Sequence, residues 1–419
     1  MTGILFGLFF LLLFLGVPMV FVIGLSSIGA MSYMDLPIEI IAQRFFTSLN
    51  SFSLMAIPLF MLAGAIMAHG GITKRIIDFA LSIVGSIRGA LSQVVSVSGV
   101  ILAGVSGSGV ADTAALGSIM VPEMKKRKYD LGFSAALVAS AGSIGLIIPP
   151  SIALIVYGAS SQASIGNLFM AGIIPGLLIA ILFIIYCYIV ARVKNYPREG
   201  SFSFSNVWKS FKSAFWALLM PIIIIVGIRG GIFTATEGGA VISVYALIIA
   251  NVVYKEIKIK DLPKIFFEAA LGTAVITSII AATSLFGWLL TSEQIPQKVA
   301  NALLSVSDNP VIIMIIIIGI LLLVGMFIDS SPAILLLTPI LVPVATSLGM
   351  DLVQFGIVMV ITLTIGLLTP PVGTALFVAS NISGVPILEL SKKLIPFWVI
   401  MVFVALLVAF IPGLTGLLY

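Results

Sequence analysis

Two stretches rich in glycine, serine and proline each occur twice in the sequence, in the same order. The first copies are GVSGSGVADTAALGSIMVP (104–122) and GLIIPPSIALIVYG (145–158). The second copies are GMFIDSSPAILLLTPILVP (325–343) and GLLTPPVGTALFVA (366–379). Shared landmarks in one order at nearby offsets indicate an internal duplication.

The chemistry that these stretches offer is oxygen coordination of a small cation. Glycine and proline interrupt a helix and free backbone carbonyl oxygens, and the serines and threonines add hydroxyls. The oxygen-bearing positions are Ser106, Ser108 and Thr113 in the first copy, and Gly325, Asp329, Ser330, Ser331, Gly366, Thr369 and Val372 in the second. We therefore predict two pseudo-symmetric cation sites, with sodium as the natural candidate. Half-helices that start after each interruption would favour an anionic substrate.

Four ionisable residues each have two possible roles. Asp112 and Asp329 are either functional carboxylates inside the membrane or N-caps of the helices that follow them. Glu237 in TATEGGA (234–240) is either a helix-start carboxylate or a substrate contact. His69 is either a partner of a helix C-terminus or a ligand.

The composition is that of a polytopic membrane protein. Hydrophobic residues make up 60% of the 419, charged residues make up 9%, and mean hydropathy is +1.27. Apolar runs of about 20 residues without barrel-type alternation predict membrane-spanning helices. The first segment, 3–24, has no basic n-region or cleavage site, and we predict one retained helix there. The net charge of +5 reflects membrane orientation and not nucleic-acid binding.

Enzymatic chemistry is disfavoured. One cysteine and one histidine cannot build a disulfide or a Cys/His zinc site, and there is no Walker A pattern for ATP hydrolysis. No set of nucleophile and base, and no set of metal ligands, converges in the sequence.

Basic residues favour the cytoplasm and set the expected topology. The clusters at 125–128, 192–212, 255–264 and 392–393 are placed inside. A short apolar segment at 76–87 is expected to lie in the membrane interface.

The division of the chain follows from this orientation. We expect an N-terminal helix and interfacial segment (1–54), a first repeat (55–191), a linker with two connecting helices (192–265) and a second repeat of opposite topology (266–419). The first repeat holds a re-entrant hairpin at 88–125 and a broken helix at 131–165, and the second holds a hairpin at 311–343 and a broken helix at 354–382. Nine crossings and two re-entrant hairpins place the N-terminus in the cytoplasm and the C-terminal Tyr419 outside.

The motifs resemble the large membrane subunit of tripartite ATP-independent periplasmic (TRAP) transporters over essentially the whole chain. The similar stretches are SGSGVADTAALGSIMVP, GLIIPPSI, RGGIFTATEGGA, GMFIDSSPAILLLTPILVPVA and GLLTPPVG. The resemblance implies an all-α, ion transporter superfamily-like fold that moves as an elevator. It also implies sodium-coupled import of an organic acid across a bacterial inner membrane.

The same resemblance implies two protein partners. One is a small four-helix membrane subunit, expected as a separate chain, and the other is a periplasmic binding protein that delivers the substrate. C4-dicarboxylates, sialic acid and sugar acids all fit as substrates.

Residue roles follow from the resemblance position by position. It implies a first sodium site formed by Ser106 and the carbonyls of Gly145, Ile148 and Pro150. It implies a second site formed by Gly325, Gly366, Thr369 and Val372. The substrate would lie between the hairpin tips, near Ser108, Ser151, Asp329, Ser330 and Thr374. Two alternatives stay open, namely a stand-alone sodium/dicarboxylate symporter and a passive anion channel.

Overall fold

The structure, a computed structural model, describes residues 1–418, and these form helices and turns with no strand among them. The predicted all-α fold class is confirmed. The predicted outside position of Tyr419 lies beyond the described residues.

The N-terminal segment differs from its prediction. Helix α1 (Thr2–Phe14) is followed by α2 (Met19–Tyr33), and the two helices pack against each other. The single helix predicted for 3–24 is therefore wrong. Gly16 takes a left-handed conformation with φ of 74°. Pro18 precedes α2 and has no amide proton to continue α1, so the chain turns between them.

The next helices lead to the first hairpin. Helix α3 (Glu39–Leu49) is bent by 69° from the segment Ser53–His69, which contains α4 (Ala56–His69). Helix α5 (Ile72–Val84) buries an isoleucine-rich face and leaves its other face open, as a helix lying in a membrane interface requires.

Repeat one contains a helical hairpin followed by an interrupted helix. The hairpin consists of α6 (Ala90–Ser106) and α7 (Gly109–Lys126). The interrupted helix consists of α8 (Leu131–Ser143) and α9 (Ile152–Ser161), and the long helix α10 (Ile165–Val193) follows.

Three long helices and one short one connect the repeats. They are α11 (Phe204–Arg229), α12 (Ala235–Ile248), α13 (Leu262–Ser292) and α14 (Ile295–Leu304). The two connecting helices predicted for 192–265 correspond to α11 and α12. The sequence analysis did not predict α14, a short amphipathic helix that packs against the second hairpin.

Repeat two has the same order of elements. Its helices are α15 (Pro310–Phe327), α16 (Ser330–Ser347), α17 (Leu352–Gly366), α18 (Thr374–Ser383) and α19 (Ile387–Phe410), followed by α20 (Gly413–Gly416). Helices α15 and α16 form the hairpin, and α17 and α18 form the interrupted helix.

The second arm of each hairpin packs against the broken helix of the other repeat. The second arm of the first hairpin, α7, packs against α18, and the second arm of the second hairpin, α16, packs against α9. The Tyr157 hydroxyl on α9 donates a hydrogen bond of 2.7 Å to the Leu352 carbonyl. Because each hairpin packs against the broken helix of the other repeat, the two repeats form one packed unit.

Seven helices of the described chain are long and apolar enough to cross a bilayer alone, among them both arms of the second hairpin. The half-helices of the two broken spans are shorter. The predicted nine crossings therefore stay a prediction, because the broken spans would cross only as pairs.

Candidate functional site

The first hairpin turns within two residues. Gly107 has φ of 66°, a left-handed conformation that favours glycine. A Cβ atom at this position would lie 2.6 Å from the Pro150 carbonyl oxygen. Ser108 then caps α7, because its hydroxyl accepts a hydrogen bond from the Ala111 amide at 3.4 Å. The glycine thus allows the hairpin tip to touch the broken helix directly.

The break of the first broken helix lies against this tip. Helix α8 ends in a 3₁₀ turn at Ile144–Leu146, the Pro149–Pro150 bond is cis, and α9 begins at Ile152. The Ile152 amide donates a hydrogen bond of 3.3 Å to the Gly107 carbonyl. Tip and break are therefore joined through their backbones.

Three carbonyl oxygens at this break accept no hydrogen bond from residues 1–418, namely those of Gly145, Ile148 and Pro150. The reason is local. Proline at 149 offers no amide proton to Gly145, and the amides that a continuous helix would direct at Ile148 and Pro150 are used elsewhere. With the half-buried Ser106, these oxygens are the donor set predicted for the first cation site. Neutral oxygens of this kind suit a hard cation of small charge.

Asp112 is not the helix cap that one reading predicted. It lies in the first turn of α7, four residues after the capping Ser108, and only 2% of its surface is exposed. Its Oδ2 atom has no hydrogen-bond partner among the described residues. A Cβ atom on Gly145 would overlap this carboxylate. Asp112 is thus a buried carboxylate directly beside the unpaired carbonyls.

A cavity of about 230 Å³ opens beside the first tip. Ser106, Ser108 and Asp112 line it on one side, and α4 and Glu268 of α13 line it on the other. Glu268 Oε2 is 2.8 Å from His69 Nε2, so the two side chains share a hydrogen bond at the end of α4. The sequence did not single out Glu268, because one carboxylate near the start of a long helix is indistinguishable from a solvated end charge.

The second tip and break are closer still. A Cβ atom on Gly366, at the end of α17, would overlap the carbonyl group of Gly325 in α15. The Val372 amide donates a hydrogen bond of 3.2 Å to the Met326 carbonyl. The Pro370–Pro371 bond is cis, like its counterpart in repeat one. The same tip-to-break contact is thus built twice.

The second predicted cation site has a matching donor set. The carbonyls of Gly325, Thr369 and Val372 accept no hydrogen bond from residues 1–418, whereas that of Gly366 accepts one from the Thr369 amide at 2.9 Å. The Thr369 hydroxyl donates its proton to the Ile365 carbonyl at 2.7 Å. Its oxygen therefore keeps lone pairs free for a cation.

The residues predicted to contact substrate fall into two groups. Ser330 and Thr374 carry buried hydroxyls without a partner in the described chain. Ser151 is fully buried and engaged, because it donates to the Leu146 carbonyl at 2.5 Å and accepts from the Leu154 amide at 3.2 Å. Ser151 is therefore the cap of α9, whereas Ser330 and Thr374 keep buried hydroxyls that no described residue binds, and the predicted substrate contacts stay a prediction.

Two acidic residues behave as helix caps. Asp329 is exposed and caps α16, accepting a hydrogen bond of 2.6 Å from the Ser330 amide. Glu237 forms a reciprocal capping box with Thr234 at the start of α12. Both residues therefore cap helices, and the substrate contact predicted for Asp329 stays a prediction. Asp112 is the buried carboxylate without a capping role.

Comparison with known proteins identifies the family of the chain. The chain matches the model of the family described as "Tripartite ATP-independent periplasmic transporter, DctM component" over residues 6–414. It is 39% identical over 423 residues to the sialic acid TRAP transporter large permease protein SiaM of Vibrio cholerae, covering 100% of this chain and 98% of the relative.

It is also 39% identical over 413 residues to the isethionate TRAP transporter permease protein DctMQ of Oleidesulfovibrio alaskensis. That match covers 98% of this chain but only 65% of the relative. In fold, the chain is similar to the YdaH transporter of Alcanivorax borkumensis, with a TM-score of 0.62 at 13% identity, covering 88% of this chain and 87% of that one. The chain therefore belongs to the DctM family, the large permease component of tripartite ATP-independent periplasmic transporters.

Proposed function

We propose that the chain imports a small organic anion by coupling its movement to sodium. The observation that carries this proposal is the duplicated contact between tip and break, each with a set of unpaired carbonyl oxygens. One such set could be an accident of helix packing, but one set where tip and break meet in each of two repeats favours a shared function. Family membership supports transport itself.

Sodium is the ion that we propose for these donor sets. Ser106 contributes a hydroxyl to the first set, and Thr369 contributes one to the second. The other donors are neutral backbone carbonyls, which replace the hydration shell of a hard monovalent cation without burying several charges. Sodium bound at both tips would hold each hairpin against its broken helix.

The substrate class that we propose is a carboxylate such as a C4-dicarboxylate, sialic acid or a sugar acid. The names of two relatives refer to sialic acid and isethionate, both small organic anions. Helices α7, α9, α16 and α18 all begin at the tips and breaks, so their positive ends favour an anion there. The buried hydroxyls of Ser330 and Thr374 would donate hydrogen bonds to it, and Ser108 lines the cavity beside tip one.

Movement would follow the elevator scheme. The packing of α7 on α18 and of α16 on α9 supports a single transport body that contains both sites. It would slide against a scaffold that includes α4 and α13, across the cavity beside Ser106. We propose that this occurs in a bacterial inner membrane, with the N-terminus in the cytoplasm.

Two partners complete the proposed system. A small four-helix membrane subunit would cover part of the exposed apolar surface, to which Phe10, Phe14 and Phe21 belong. A periplasmic binding protein would deliver the substrate.

Uptake by proteoliposomes tests the proposal. The chain is reconstituted with the small subunit, and uptake of radiolabelled substrate is measured with and without an inward sodium gradient and with and without the binding protein. We expect uptake only when the sodium gradient and the binding protein are both present. Uptake that needs neither would overturn the proposal, and current without stoichiometric sodium flux would identify an anion channel instead.

A further inference from the structure

A second cavity, of about 540 Å³, lies apart from both tips. Its walls come from the residues before α4, the connection between α9 and α10, and the connection between α11 and α12. The charge pattern that orients the chain places all three connections on the same, external side. The volume falls in the range of sites for small organic molecules.

Arg229 is the only charged residue that lines this cavity among residues 1–418. It lies in the last turn of α11 and is exposed. No carboxylate of the described chain lies within 4 Å of its guanidinium group. It also departs from the rule that basic residues stay on the cytoplasmic side, so its place in this cavity needs a reason.

The remaining polar lining is neutral and can donate hydrogen bonds to an anion. The available donors are Gln162, Ser164 and Asn167 at the connection between α9 and α10. The Thr234 hydroxyl at the start of α12 already donates to Glu237 at 2.9 Å. Helix α10 begins at this cavity, so its positive end adds to the charge of Arg229, whereas the positive end of α12 is already occupied by the capping carboxylate of Glu237. The α10 end does not make a site alone, but it supports the charge of Arg229, which has no carboxylate partner within 4 Å in the described chain.

We propose that this cavity is an outer vestibule that binds the anionic group of the substrate, a carboxylate or a sulfonate, before the substrate reaches the tips. The inference rests on the proposed import function, because it assigns Arg229 to the entry path of that substrate. A guanidinium group presents paired donors that match either anion. The vestibule would raise the local concentration of substrate without holding it tightly.

The test is the reaction of a cysteine introduced by Asn167→Cys with two thiol reagents of opposite charge. Sulfonatoethyl methanethiosulfonate is an anion, and trimethylammonioethyl methanethiosulfonate is a cation of similar size. Background is low, because Cys187 is the only native cysteine and is fully buried. We expect Arg229→Gln in this background to lower the ratio of anionic to cationic reaction rates by about three- to tenfold, and high salt to reduce the difference.

Two matched variants serve as controls in the same background. Arg229→Lys keeps the charge and should keep most of the ratio. Lys298→Gln removes an exposed positive charge elsewhere on the proposed external side and should leave the ratio unchanged. If Lys298→Gln lowers the ratio as much as Arg229→Gln does, the effect is one of net charge and the vestibule is refuted.

A measurement that keeps Arg229 guards against a variant that fails to fold. Succinate or N-acetylneuraminate should slow the anionic reagent at the introduced thiol by at least about twofold, with no binding protein present. Absence of protection by either anion, together with an unchanged reagent ratio in Arg229→Gln, overturns the vestibule. A lower melting temperature of Arg229→Gln with an unchanged ratio would make Arg229 a partner of the α11 C-terminus.

Uptake separates the failure of this inference from the failure of the proposed function. In proteoliposomes, Arg229→Gln should raise the apparent KM for substrate about three- to tenfold while the maximal rate stays near wild type. Wild-type uptake that depends on sodium, combined with an unchanged KM in the variant, refutes only the vestibule. Loss of sodium dependence in the wild type refutes the import proposal instead.

Discussion

Gly325 and Gly366 are in backbone contact, so that a Cβ atom on Gly366 would overlap the Gly325 carbonyl group. A Cβ atom on Gly325 would lie 3.2 Å from the Gly366 Cα atom. The hairpin and the broken helix of repeat two therefore meet where each contributes a glycine, which has no side chain. This contact keeps the unpaired Gly325 carbonyl close to the break.

We predict that Gly366→Ala pushes the second hairpin off its broken helix. Overpacking of this kind costs about 1–3 kcal/mol, so the melting temperature of the purified protein should fall by several degrees. Sodium-dependent uptake should fall with it. Differential scanning fluorimetry and proteoliposome uptake measure the two effects.

The matched control is Gly319→Ala, in the same helix as Gly325 but with nothing within 4 Å of an added Cβ atom. Alanine is favoured over glycine inside a helix by about 1 kcal/mol, so this variant should be at least as stable as wild type. Equal melting temperatures for Gly366→Ala and wild type would show that the contact is not tight.

We predict that Ser106→Ala and Thr369→Ala each weaken sodium dependence without unfolding the protein. Each removes one hydroxyl oxygen from a proposed donor set, and the concentration of sodium for half-maximal uptake should rise about five- to twentyfold. That factor corresponds to about 1–2 kcal/mol. Uptake as a function of sodium concentration, at saturating substrate, measures the shift.

Ser118→Ala is the control for Ser106→Ala. Ser118 lies on the exposed face of α7 and only donates to the Ala115 carbonyl at 3.0 Å. Its removal should leave sodium activation unchanged. Unchanged sodium activation in both Ser106→Ala and Thr369→Ala would refute the assignment of the sites, even though the fold stands.

The duplicated glycine, serine and proline pattern was enough to predict both hairpins and both broken helices. Proline and glycine act on the backbone locally, so their positions in the sequence mark the interruptions directly. The turn between α1 and α2 was not predicted. Gly16 and Pro18 are isolated within an apolar run, and single glycine and proline residues are tolerated inside membrane helices.

Side-chain roles were harder to predict, because they depend on neighbours distant in the sequence. Glu268 meets His69 across 199 positions, and no local pattern encodes that pair. Asp112 and Asp329 occupy corresponding places in the duplicated motif, yet only Asp329 caps a helix. The difference arises because Ser108 starts α7 four residues before Asp112, whereas α16 starts directly after Asp329.

We predict different effects for Ser330 and Ser151, two serines that the sequence analysis predicted to contact substrate. Ser330→Ala removes a buried hydroxyl without a partner, so stability should be unchanged or slightly higher while the apparent KM for substrate rises about fivefold. Ser151→Ala breaks two hydrogen bonds and the cap of α9, so it should destabilise by about 1–2 kcal/mol. Thermal unfolding and uptake kinetics separate the two serines. A stability loss in Ser330→Ala equal to that in Ser151→Ala would contradict the assignment of a free hydroxyl.

We predict that Asp130→Asn loosens the link between the repeats at neutral pH. Asp130 caps α8 and pairs with Lys393 of α19 at 2.9 Å. Partial burial opposes its ionisation, yet the Phe133 amide and the Lys393 ammonium hold the pKa of its carboxyl below the usual 3.8. A carboxyl with a lowered pKa stabilises the fold when ionised, so this contribution is present at pH 7 and is lost as the pH falls below about 4.

The melting temperature of wild type should therefore exceed that of Asp130→Asn at pH 7, and the gap should narrow as the pH falls below the usual 3.8 and through the lowered pKa of Asp130. Glu123→Gln is the control, because the pair of Glu123 with Lys126 is exposed and lies within one helix. Exposed pairs of that kind contribute at most about 0.5 kcal/mol, so its melting temperature should match wild type throughout. A gap for Asp130→Asn that is absent at pH 7, or that does not narrow as the pH falls below the usual 3.8, would show that the ionised carboxylate does not hold the repeats together.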